Sequence, residues 1–146
     1  KLHWDIAPHL LDYDPILLHL AEGFAETTHP YVFIASKGFT ELLEAKGSQE
    51  KTAPLTKKLV VILRQTLRST NQDVFVRALD GLRLLSGCVG PEMNPHLASL
   101  LVQVNQKGRF RGIEAKINET IEAFAYNGGD AAIKAIKAKV PTFTIC

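Results

Sequence analysis

The sequence predicts an all-α fold, an armadillo- or HEAT-like α-solenoid of about seven helices, and three observations predict it. The segment from residue 52 to 89 carries an apolar row at Leu55, Leu59, Ile62, Leu63 and Leu67, a polar break at Ser69-Thr70-Asn71, and a second row at Val74, Ala78, Leu82, Leu85 and Val89. Pro54 stands where a helix begins, because the missing N–H of proline costs nothing in a first turn. Short Gly- or Pro-marked turns separate the apolar rows, and strand-like alternation is absent after the first residues. Two antiparallel helices joined by a capped turn form the unit of a stacked repeat, and such units build binding surfaces far more often than active sites.

The elements follow in order. Leu2-His3-Trp4-Asp5-Ile6 alternates as a short strand or a strap would, and Pro8 keeps it from being helical. Asp14-Pro15 reads as a capped helix start, with Leu17, Leu20, Ala21 and Phe24 on one face and His29-Pro30 as the stop. Two short helices are expected next, Tyr31 to about Ser36 and Phe39 to Leu43, with Gly38 as a hinge and Gly47 as a C-cap. The two helices of the segment 52–89 are the third and fourth.

Gly90-Pro91 then precedes a fifth helix through Leu97, Leu100, Leu101 and Val104. A loop from Gly108 to Gly112 leads to a sixth with Ile113, Ile117, Ile121 and Phe124 inward. Gly128-Gly129 ends it, Asp130 is placed to cap a last helix carrying Ile133, Ile136 and Val140, and Pro141 stops that helix. Residues 1–13 thus read as an extended strap, 14–140 as one helical-repeat domain and 141–146 as a tail.

At 146 residues with 46% hydrophobic and 22% charged content, the chain suits one globular domain with a real core. Cys88 and Cys146 are far apart, so no disulfide framework is indicated and a reducing compartment, cytosol or cytoskeleton, is expected. No apolar run approaches the roughly 20 residues of a membrane span, and the chain is expected to be soluble. It opens on Lys1 rather than Met and reads as starting inside a longer one.

The net charge of +2 hides a segregation: residues 1–50 hold three Lys against eight acids, residues 51–146 fourteen Lys or Arg against seven acids. Such an imbalance speaks to partners, and here to an acidic partner for the C-terminal part.

The candidate contact surface is basic. Lys57, Arg64 and Arg68 recur at helical pitch opposite the Leu55, Leu59, Ile62 row, although a solvated surface accounts for three cations alone more readily than a contact does. Lys107, Arg109 and Arg111 alternate in a mobile loop around Phe110, a ring expected to plug the core. Lys134, Lys137 and Lys139 add charge on the last helix. Sparse aromatics and a sequence pI of 8.6 favour an acidic protein over nucleic acid.

Catalytic signatures are thin: the chain has no HExxH, paired CxxC, GxGxxG or phosphate loop. His19 and Glu22 stand three apart on one helix, but two ligands do not make a metal site. Cys88 lies in an apolar helix without an adjacent His to activate it. No catalytic residue, cofactor or metal is expected.

Four blocks carry a resemblance. Thr28-His29-Pro30-Tyr31-Val32-Phe33, Gly38-Phe39-Thr40-Glu41-Leu42-Leu43, Glu122-Ala123-Phe124-Ala125-Tyr126-Asn127-Gly128-Gly129 and Ile136-Lys137-Ala138-Lys139-Val140-Pro141-Thr142-Phe143, in this order and spacing, are similar to the parkin co-regulated protein family, above all to its parkin co-regulated-like branch. The likeness runs from about Trp4 to the C-terminus. It implies an armadillo or HEAT-like domain and, from the family's founding member, a ciliary protein at the inner junction of doublet microtubules that touches tubulin. The sequence departs at the short Gln106–Gly112 loop, where the founding member has a longer insertion, so contacts made through that insertion do not carry over.

The expectation is therefore a non-catalytic structural or scaffold protein of cilia or flagella, in the cytoplasm, cytoskeleton and axoneme. Its partners would be tubulin, microtubules or axonemal proteins, with no nucleic acid and no membrane. The alternative is a peptide-binding adaptor or chaperone-associated protein that uses the solenoid groove; its sign would be an apolar groove with exposed aromatics.

Overall fold

Leu59, Leu63, Leu67, Ala78, Leu82 and Leu85, all drawn from the two rows of helical spacing, have no exposed surface, so the 3.6-residue pattern decides which faces turn inward. The computed structural model describes residues 2–106 and 108–144. Its elements are α1 (Tyr13–Glu22), α2 (Tyr31–Glu44), α3 (Ser48–Thr52), α4 (Thr56–Thr66), α5 (Gln72–Val89), α6 (Leu97–Val104), α7 (Glu114–Gly128) and α8 (Asp130–Lys139). The fold is all-helical, with no strand among the described residues.

The helices contact one another in two rows. α2, α5 and α7 pack side by side, as do α1, α4, α6 and α8; across the rows α1 meets α2, α4 meets α5, and α7 meets both α6 and α8. Buried residues from Tyr13 to Val140 form one continuous apolar cluster, with α5 at its centre. The break before α5 is capped as the sequence suggests: the Asn71 side chain accepts from the Val74 N–H at 3.2 Å.

Several expectations are corrected. α1 ends at Glu22, not at His29-Pro30, and its side-chain cap is Asp12, which accepts from the Asp14 N–H at 3.1 Å. A Cβ at Gly23 would sit 2.7 Å from the Cβ of Ala35, so the chain passes close against α2 before tightening into a 3-10 turn (Gly23–Ala25) that buries Phe24. α2 is one continuous helix. Gly38 lies buried inside it, where an added Cβ would approach Leu20 Cδ2 to 3.0 Å, so this glycine serves close packing on α1 rather than a hinge.

Gly47 is not the C-cap of α2, a position held by Ala45; it takes φ +78° and leads into a five-residue α3 that the sequence did not suggest, and Pro54 lies in the 3-10 turn between α3 and α4. Asp130 is the first residue of α8 rather than its cap, a position held by Gly129 with no side-chain bond. The opening residues form no strand: the Leu2 N–H and the Trp4 indole N–H donate to the two carboxylate oxygens of Glu41 at 3.0 and 2.9 Å, and the segment expected to stay extended to residue 13 instead turns into a 3-10 helix at Pro8–Leu10 before α1 starts at Tyr13.

Candidate binding surfaces

On α4 the core claims Leu59, Val60 and Leu63, which leaves Lys57, Lys58, Val61 and Gln65 exposed and Arg64 half-buried on the outward side, while Arg68 lies in the turn just after the helix. Of the three stripe candidates Lys57 and Arg68 are exposed and Arg64 is half-buried.

The basic loop does not hang free beside α4. The Arg109 guanidinium donates to the carbonyls of Leu67 and Arg68, each at 2.8 Å, and to that of Ser69, and it lies 5.6 Å from the centroid of the Phe75 ring and 5.2 Å from that of Phe110. Carbonyls at a helix C-terminus have no partner within the helix, and a guanidinium fork fits them better than water does. The expected mobile grip at Arg109 is therefore corrected: this cation is committed to holding the loop on the end of α4. Phe110 packs against Phe75 at 5.2 Å and joins the core margin, as the sequence suggests.

The docking sets the loop against the end of α4. Arg111 is exposed next to the segment that bonds Arg68, while Lys107 lies outside the described residues. Of the five described candidates, Arg109 is committed to the fold, Lys57, Arg68 and Arg111 are exposed, and Arg64 is half-buried. Lys134, Lys137 and Lys139 are all exposed on α8.

Among the described residues two further cations bond distant main-chain carbonyls as Arg109 does. Lys51 Nζ bonds the carbonyls of His9 and Leu11 and lies 5.2 Å from the Tyr13 ring centroid; Arg77 bonds those of Phe24 and Glu26. All three belong to the basic part of the chain, so its formal excess overstates the positive charge a partner would meet.

Two concavities could receive a partner segment. One, of about 560 Å³, lies between α1 and α4 and is lined by Leu18, Val61 and Ile62 with His19, Glu22, Lys57 and Lys58. The other, of about 650 Å³, is formed by α5, α7, α8 and the residues after α8; Tyr126 on its wall is 89% exposed. Sequence reasoning missed both, because each is made by elements far apart in the chain.

His19 and Glu22 are both exposed, and the described residues contain no group of three or more His, Cys, Asp or Glu placed to hold a metal. Cys88 is half-buried with Sγ 3.6 Å from the Ser48 hydroxyl. Among the described residues no helix is long and apolar enough to cross a membrane.

A family model described as Parkin co-regulated protein matches residues 1–145. The Parkin coregulated gene protein homolog of Mus musculus is 28% identical over 164 residues, an alignment that takes in 100% of this chain and 67% of the mouse protein. That span exceeds the 146-residue chain, so the mouse protein carries additional residues inside the matched region.

Proposed function

The chain belongs to the parkin co-regulated protein family, and from that membership we propose that it is a non-catalytic scaffold of cilia or flagella that binds microtubules or an axonemal protein through charge and shape. The helices are read as an armadillo- or HEAT-like stack. Support comes from the two rows, in which the pairs α1/α2, α4/α5 and α6/α7 succeed one another side by side.

The observation that carries the reading is that the loop holding the exposed Arg111 is bonded, through Arg109, to Arg68 at the end of α4, the helix that carries Lys57 and Arg64. The C-terminal tails of tubulin are acidic and match that sign. An exposed charge pair contributes roughly 0.2–1 kcal/mol, so one such pair would not hold a partner and four together would matter.

The test is co-sedimentation of the protein with stabilised microtubules, intact or with the acidic tubulin tails removed, over a salt series. Binding that weakens with salt and with tail removal supports the reading, since the Debye length shrinks to about 8 Å at physiological ionic strength and less above it. Binding indifferent to both overturns the charged contact, and no binding overturns microtubules as the partner and favours the adaptor reading below.

A second reading, a peptide-binding adaptor or chaperone-associated protein, is favoured by the groove at Tyr126, where an aromatic ring stands exposed over an apolar floor.

A further inference from the structure

The face of α7 turned away from the core carries Glu119, Glu122, Ala123 and Tyr126, spaced to fall within one side of the helix. That face is not flat against solvent. Ile133 of α8 and Phe143, both half-buried against the core, form an apolar floor beside it, and Arg83 of α5 stands on the far wall. A second, smaller concavity lined by Val140, Thr142 and Thr144 shares Glu122 and Phe143 with the first, so the trough continues along α7.

The charges of the two walls differ in availability. Arg83 donates to the Asp80 carboxylate at 2.9 Å, and Lys116 shares that carboxylate at 3.4 Å. Glu119 and Glu122 are exposed and make no ion pair with the described residues. Asp80 offsets one of the two cations, Arg83 and Lys116, so with Glu119 and Glu122 the five groups still sum to −1, on the part of the chain that is otherwise basic, and the two free carboxylates flank an aromatic ring whose face attracts cations.

We propose that this trough docks a linear protein segment carrying an arginine and a nearby apolar side chain. The guanidinium lies over Tyr126 and pairs with Glu119 and Glu122, while the apolar residue covers Ile133 and Phe143. Arginine suits the site better than lysine, because its planar fork stacks on a ring and meets two carboxylates at once. The inference rests on the adaptor reading and gives its groove a partner chemistry opposite in sign to that of the α4 cations, so the two surfaces would take different partners.

The experiment is fluorescence anisotropy with the whole chain and labelled synthetic peptides holding one arginine and one leucine separated by two, three or four serines. Controls replace the arginine by glutamate or the leucine by serine. At least one arginine–leucine spacing is expected to bind about tenfold tighter than either control, and Tyr126→Ala or the double change Glu119→Gln, Glu122→Gln is expected to weaken it at least fivefold. All three side chains are exposed, so these variants keep the fold, which circular dichroism checks. Equal binding of the serine control, no loss in the variants, or no binding at any spacing overturns the proposal. Microtubule pelleting by Tyr126→Ala separates the two readings: the trough fails or stands on the peptides alone, the basic surface at α4 on the microtubules alone.

Discussion

The Arg109 guanidinium donates to the Leu67 carbonyl at 2.8 Å across 42 residues of sequence, and with its bonds to Arg68 and Ser69 it closes the C-terminal end of α4. A hydrogen bond to a charged group contributes about 1.5–3 kcal/mol net, and the ring contacts with Phe75 and Phe110 add to it. Arg109→Ala is expected to lower unfolding stability by about 2 kcal/mol, and Arg109→Lys to recover only part, because an ammonium cannot fork between neighbouring carbonyls. Urea denaturation of the two variants against the parent measures both.

Two glycines of α5 are expected to respond with opposite signs. Alanine favours a helix interior by about 1 kcal/mol over glycine. At Gly87, which is exposed and whose nearest neighbour to an added Cβ is Asn127 Nδ2 at 3.9 Å, that gain stands, and Gly87→Ala should raise stability by about 0.5–1 kcal/mol. At Gly81 the Cβ would meet Phe24 Cε2 at 2.6 Å, and Phe24 is wedged edge-on against Phe39 at 5.0 Å between ring centroids. Overpacking costs about 1–3 kcal/mol, so it outweighs the propensity gain and Gly81→Ala should destabilise. Thermal midpoints of the pair decide the matter.

Tyr13 is buried and its hydroxyl donates to the Leu42 carbonyl at 2.5 Å. Burial pushes its pKa above the ordinary 10.0, and negative charge on Cys88 adds in the same direction. The folded state therefore holds this proton more tightly than the unfolded chain does. Its contribution is complete below pH 10 and is lost as pH rises from there through the folded-state pKa. Tyr13→Phe should cost about 1 kcal/mol at neutral pH and flatten the alkaline fall in stability. Urea midpoints of parent and variant between neutral pH and about pH 10.5 would show the two curves converging.

The core was legible in the sequence where helical spacing was long and uninterrupted. The rows of α4 and α5, the Asn71 cap and the inward faces of α6 and α7 follow from periodicity alone. Gly38 was not legible, since a glycine in an apolar row marks either a bend or a close approach, and only the position of Leu20 distinguishes them. The end of α1 was hidden for the same kind of reason: the residue that stops it, Gly23, is packed on Ala35 of another helix. In the candidate surface, residue type gave the sign of charge but not its availability. Arg109, Arg77 and Lys51 bond carbonyls some 40 to 53 residues away, a separation no local pattern reports.

That difference in availability makes the last prediction a comparison of neighbours. Arg111 is exposed with its charge turned to solvent, and Arg109, two residues earlier, is tied to α4. Reversal of an exposed charge changes stability by no more than about 0.5 kcal/mol, whereas a carboxylate at position 109 would face three carbonyl oxygens and repel them. Arg111→Glu, alone and with Arg68→Glu, should therefore weaken microtubule co-sedimentation several-fold at low salt while the urea midpoint stays in place. Arg109→Glu should lower the urea midpoint, and its loss of binding should track unfolding. If Arg111→Glu and Arg68→Glu together leave pelleting unchanged at low salt, the end of α4 and its docked loop are not the contact, and the scaffold reading would have to rest on another face.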